Sequence, residues 1–207
     1  MTSDMGYASL LATRLCHDLA SPIGAISNTA DLMKEFGDQQ SMEDVDMVAR
    51  TAARASQMLQ FYRLVFGRSM ADDPGIDIAR FLDLCRSQEV PKRIGLTFGG
   101  LDSGALPRPM AQVAGLMLMV GRSVLGLRGE LRLMLPASAA DLPQVAAKGE
   151  KVALPEGLHK VLTEDGAEMT DPAKLEFALL RLALRAVSAQ LSVTQGPQHI
   201  SLSATYI

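Results

Sequence analysis

The chain has 207 residues, 48% of them apolar and 21% charged, enough for one large or two small globular domains whose core needs no covalent staples. A net charge of −3 without clustered Lys and Arg argues against a nucleic-acid surface, and the longest apolar window, residues 110–121, is too short to span a bilayer. Cys16 and Cys85 match no disulfide or metal spacing and the N-terminus lacks the pattern of a signal peptide, so a reduced, cytoplasmic protein is expected.

Residues 5–67 read as two long helices. Helical spacing of apolar residues predicts the first from Ser3 to Phe36, with Gly37 as its stop and "GDQQ" as the turn. The second starts at Ser41, where "SMED" resembles a capping box with Asp44 in place of the usual Glu, and runs to Phe66. "GRSMADDPG" at 67–75 is rich in breakers and reads as a linker, which predicts a helical hairpin over 1–69 and a second domain over 75–207. In that second part "IDIARFLDLCRS" predicts a short helix, "RIGLTFG" a strand, "PMAQVAGLMLMVGRSVLG" a buried helix and "GELRLML" another strand. "DLPQVAAKGEKVAL" predicts one or two weak strands around Lys148-Gly149. "PEGLHKVLTE" and "DPAKLEFALLRLALRAVSAQ" predict helices with Pro near the first turn, and "LSVTQGPQHISLSATY" a hairpin turning at Gly196-Pro197. Helices alternating with strands give an α+β protein: a helical hairpin followed by a two-layer α/β sandwich.

On a wheel of about 100° per residue, Leu11, Leu15, Leu19, Ile23, Ile26, Ala30 and Met33 form one stripe of the first helix. Met58, Phe61 and Val65 lie on a further face of the second, so two hairpins are expected to pair into a dimeric four-helix bundle. His17 falls nearly opposite the stripe, among Thr13, Arg14, Ser21, Gly24 and Asn28. An exposed histidine is ordinarily one more solvated polar residue. Three features set this one apart. Asp18 follows directly and can bond one ring nitrogen, leaving the other nucleophilic. Arg14, one turn back, can meet phosphoryl oxygens. Pro22 in mid-helix costs roughly 3 kcal/mol, a cost that calls for a compensating role.

"HDLASP" resembles the phospho-acceptor motif of sensor histidine kinases: His, an acidic residue, an apolar residue, then Pro five positions after the His. The run "LATRLCHDLASPIGAISNTADLM", with the hairpin and the α/β half after it, resembles more specifically the ChpT-type histidine phosphotransferases of alphaproteobacteria. The resemblance implies the fold of a histidine-kinase ATPase domain in the second half, and the chain departs from the kinase pattern at the nucleotide site. Aligned on Gln112 and Val113, the asparagines that hold Mg²⁺ and phosphates fall on Leu116 and Val120. The Asp-x-Gly-x-Gly loop is missing. "EDGAE" at 164–168 has one Gly and precedes a helix, and no Lys follows "FGGLDSG" at 98–104. A degenerate domain that does not bind ATP is expected, a loss that the ChpT family shares.

The function so implied is a phosphorelay carrier. His17 would take a phosphoryl group from the receiver domain of a hybrid histidine kinase and pass it to response regulators. Asp18 would orient the imidazole, Arg14 would contact the phosphoryl group, and Thr13, Ser21, Gly24 and Asn28 would form a small-residue docking face. The chain itself would hold no cofactor or metal, the Mg²⁺ belonging to the receiver. The residues leave two other readings open: a dimeric adaptor whose histidine is never phosphorylated, and an active kinase with an atypical nucleotide site. Other chemistry is poorly supported. Cys16 and His17 share no ligand spacing with His159 or His199, Asp72-Asp73 reads as linker solvation, and the Leu- and Met-rich stretches at 115–120 and 175–184 read as core.

Overall fold

Two long helices open the chain in the computed structural model, which describes residues 4–36, 42–67, 73–88, 93–126, 128–138, 141–164 and 169–207. Helix α1 spans Asp4–Phe36 and runs on through Pro22. Proline has no N–H, so the Asp18 carbonyl four residues back loses its ladder bond at the turn that carries His17. Helix α2 spans Met42–Val65 and returns against α1. The expected stop at Gly37, the cap at Ser41, most of the linker and most of "EDGAE" lie outside the described residues.

The second half follows as β1 (Ile76–Asp77), α3 (Ile78–Arg86), β2 (Ile94–Gly99), β3 (Ala105–Leu106), α4 (Arg108–Val124), β4 (Gly129–Met134), β5 (Gln144–Lys148), α5 (Leu158–Thr163), a 3-10 turn (Pro172–Lys174), α6 (Leu175–Ala186), β6 (Ala189–Gly196) and β7 (His199–Tyr206). Asp77 caps α3, its carboxylate accepting from the Arg80 N–H at 3.0 Å. Five strands form one sheet in the order β2-β4-β5-β7-β6, parallel between β2 and β4 and antiparallel elsewhere. Leu131, Leu133, Val145, Ala147, Ile200 and Leu202 are buried under the helices. Glu130, Arg132, Gln144, Ala146 and Lys148 alternate with them and face solvent, as in an antiparallel sheet covered on one side.

The structure differs from the sequence reading in three places. Strands β1 and β3 pair only two residues each and are too short to show a period. Of the one or two strands expected after Leu142 one forms, and the rest is a bridge between Val152 and Leu125. Helix α6 stops at Ala186 rather than near Gln190, because Ala189 and Gln190 pair with Tyr206 and Thr205. The closing turn is Pro197-Gln198, since Gly196 already pairs with His199.

Helix α4 is the centre of the molecule, packed against both α2 and the sheet. Two glycines allow this. A Cβ on Gly115 would stand 2.4 Å from Cγ1 of Val65, and one on Gly121 would stand 2.5 Å from Cγ1 of Val145 and 2.8 Å from Cδ1 of Leu131. The contact with α2 corrects one expectation. Phe61 and Val65, read from sequence as a face for a second hairpin, are 0% and 1% exposed and pack on α4 of the same chain. Periodicity reveals that a face is covered and is silent on what covers it. Gly115→Ala is expected to destabilise the protein by about 1–3 kcal/mol in chemical denaturation, against a gain of about 1 kcal/mol from helix propensity alone. Adding Val65→Ala should recover part of the loss. An unchanged midpoint for Gly115→Ala would show that α2 and α4 separate freely.

Candidate functional site

His17 stands on α1 with its side chain 86% exposed. Its Nδ1 lies 3.1 Å from Oδ1 of Asp18. An ionised carboxylate only accepts, so Nδ1–H donates, and in the neutral ring Nε2 keeps its lone pair. The other oxygen of Asp18 is held twice. The Tyr62 hydroxyl, from the last turn of α2, donates to Oδ2 at 2.6 Å, and Nε of Arg14 donates to the same atom at 3.0 Å.

Arg14 continues the network into the second half. Its Nη1 donates to Oε2 of Glu176 at 2.8 Å and to the Pro172 carbonyl at 3.1 Å. The 3-10 turn presents that carbonyl, and Asp171 fixes the turn by accepting from the Ala173 N–H at 2.8 Å. The Ser123 hydroxyl, on α4, donates to Oε1 of Glu176 at 2.5 Å. Both oxygens of a carboxylate that is 1% exposed are thereby satisfied.

The electrostatics follow from burial and these partners. Burial alone would raise the Asp18 carboxyl. Hydrogen bonds from Tyr62, His17 and Arg14, with the charge of Arg14, outweigh it and hold the group below its ordinary value of 3.8. Burial works against the Arg14 charge, but Glu176 and Asp18 raise its pKa further above an already high value. Burial and the bond to Asp18 push the Tyr62 hydroxyl well up, so it stays a donor.

A cleft of about 500 Å³ opens beside the imidazole, between the hairpin and the second half, and His17, Asp18, Ser21, Arg54, Met58 and Arg122 are among its lining residues. The structure thus brings Arg14, His17, Asp18 and Ser21 together. Thr13 and Asn28 are exposed, and the Thr13 hydroxyl turns back to the Ser9 carbonyl at 3.0 Å. A Cβ at Gly24 would meet nothing within 4 Å. Arg14 lines the same cleft, but it is 18% exposed and its guanidinium turns toward α6, because an ion-pair partner waits there.

Tyr62 and Glu176 were missed from sequence. Glu176 left a trace, a lone charge within the apolar run "LEFALL". Tyr62 left none. Leu116 and Val120 are buried in the core, and the Gln112 amide donates to the Val65 carbonyl at 2.9 Å, tying down the end of α2. Among the described residues no group of three His, Cys, Asp or Glu side chains is placed to hold a metal ion, and no helix is long and apolar enough to cross a membrane.

Residues 88–199 match the family model of the histidine phosphotransferase C-terminal domain. A protein phosphotransferase ChpT of Brucella abortus (strain 2308) is 30% identical over 156 residues, which cover 74% of this chain and 72% of that one. The 1.7 Å structure of a bacterial phosphotransferase superposes with a TM-score of 0.77 at 25% identity, covering 99% of this chain and 98% of the other.

The Asp18 network sets a pH dependence. Its folded pKa lies below the ordinary 3.8, so the ionised network stabilises the fold fully above that value and loses its effect as pH falls through the folded one. Asp18→Asn is expected to cost about 1–3 kcal/mol at neutral pH. The difference from wild type should shrink as denaturation is repeated at successively lower pH below 3.8. A difference that stays constant into strong acid would mean that Asp18 stabilises the fold by shape rather than charge.

Proposed function

Because the chain belongs to the histidine phosphotransferase family, we propose that His17 is the residue on which it carries its phosphoryl group, received from the phospho-aspartate of one receiver domain and given to the aspartate of another. The observation that carries this reading is an imidazole 86% exposed whose Nδ1 proton is held by Asp18. The Nε2 lone pair attacks phosphorus in line. The N–P bond forms as the bond from phosphorus to the aspartyl oxygen breaks, and the electron pair returns to that carboxylate. Nδ1 keeps its proton throughout, and the positive charge that develops on the ring is met by Asp18. The second transfer is the same step reversed. Mg²⁺ in the receiver's acidic pocket would neutralise the phosphoryl oxygens, leaving this chain to orient the imidazole.

Two features support close approach of a receiver. Ser21 and Gly24 follow His17 by about one and two turns, and the surface at Gly24 is open. Ile23, Leu32, Val45, Met47 and Leu59 of the hairpin are between 43% and 58% exposed, an apolar surface suited to a second hairpin in a homodimer. A carrier rather than an autokinase is supported by Leu116 and Val120, whose apolar side chains serve the core where a kinase needs polar ligands. A cytoplasmic place in two-component signalling is part of this reading.

The test has two arms. Incubation with a phosphorylated receiver domain should put acid-labile label on the wild-type chain, and none on His17→Ala, which keeps its fold because the side chain is outside the core. Labelled ATP with Mg²⁺ should transfer nothing. Equal labelling of His17→Ala would move the acceptor elsewhere, and labelling from ATP would make the protein a kinase. For the homodimer, sedimentation should give a dimer at micromolar concentration and a monomer for Ile23→Glu. A wild-type monomer would remove the bundle.

A further inference from the structure

His17 and Asp18 are consecutive on a helix, and consecutive helical side chains do not face each other. Their 3.1 Å contact therefore needs the Asp18 carboxylate to be turned and held. Tyr62 and Arg14 do this by occupying Oδ2, which leaves Oδ1 for the imidazole. Arg14 is itself an unbranched, flexible side chain until something fixes its guanidinium plane. Glu176 fixes it. The planar fork meets Asp18 through Nε and Glu176 through Nη1, so the position of one carboxylate sets the position of the other.

We propose that Glu176, on α6 of the second half, is a positioning residue for His17, acting through Arg14 and Asp18 to select the imidazole tautomer with a free Nε2. This rests on His17 being the phosphoryl carrier. It gives the α/β half a direct part in phosphoryl transfer, although it contributes no group to the reacting atoms. The buried state of Glu176 fits the role. A carboxylate 1% exposed is costly to keep in a core unless its partners hold it, and a helix as apolar as α6 gains nothing in packing from a charge there. Ser123 holds the far oxygen from α4, so the carboxylate is gripped from two helices before it meets Arg14. A shift of α4 against α6 would then be felt at the imidazole.

A double-mutant cycle on the full chain tests this. Glu176→Gln keeps the shape and removes the charge. It is expected to slow transfer from a phosphorylated receiver about threefold to thirtyfold, with receiver affinity unchanged. In ¹⁵N spectra the His17 ring should move from the Nδ1–H tautomer toward a mixture. The Asp18→Asn/Glu176→Gln double variant should be no slower than Asp18→Asn alone, because both act through one carboxylate. Glu176→Asp should restore part of the rate. A folded Glu176→Gln protein with the wild-type rate and tautomer would overturn the proposal, as would multiplying effects in the double variant. Should Glu176→Gln fail to fold, Ser123→Ala loosens the same carboxylate with its charge intact, and the tautomer shift is expected there in smaller degree; a wild-type spectrum would count against the proposal. The tautomer measurement needs no phosphoryl donor, so it separates failure of this inference from failure of the carrier reading.

Discussion

The guanidinium of Arg14 lies between two carboxylates from opposite halves of the chain, Asp18 on α1 and Glu176 on α6. The orientation of the site depends on this contact. One positive charge serves two negative ones, and each is desolvated enough that losing its partner would leave it poorly solvated. Removing one member of such a set costs stability mostly through the group left behind without its partner. The same contact docks the start of α1 onto the second half, where Leu10, Leu11 and Leu15 pack at the edge of the core. A polar network thus sets the register in which an apolar face settles.

Packing delivers the third partner of Asp18. Tyr62 sits between Phe61 and Leu64 at the end of α2, in turns buried against α4. Gly115 lets the two helices approach until Val65 fills the space a side chain would take. Gln112 and Arg108 reach from α4 to carbonyls at the end of α2 and hold that end in place. The Tyr62 hydroxyl then lies 2.6 Å from Asp18. The position of a hydrogen bond on α1 is decided by a glycine on α4.

A division of labour follows between the two halves. The hairpin carries the exposed imidazole and the open surface around Gly24, both suited to meeting a partner. The α/β half carries core side chains at Leu116 and Val120 and lends the hairpin Glu176, Ser123 and the Pro172 carbonyl. It acts as a scaffold whose precision comes from burial. Around His17 the imidazole stays exposed, and a Cβ at Gly24 would meet nothing within 4 Å.

Sequence alone determined what is local. Both long helices, five of the seven strands and the exposed position of His17 follow from periodicity. The pairing of His17 with Asp18 and the backbone hydrogen bond lost at Pro22 follow from adjacency, because such signals need only a few consecutive residues. Tertiary structure decided the rest. Strands β1 and β3 exist only because Ile76 finds Leu106, and α6 ends where β7 claims its successors. Phe61 and Val65 looked like an interface and became core, since an apolar stripe records burial but not the burying partner. Arg14 looked like an open cation and became a cross-link, because its second carboxylate lies 162 residues away. A hydrogen bond acts over three ångströms and leaves no periodic trace in the chain. Which charges meet around His17 was therefore fixed only when α2, α4 and α6 packed together.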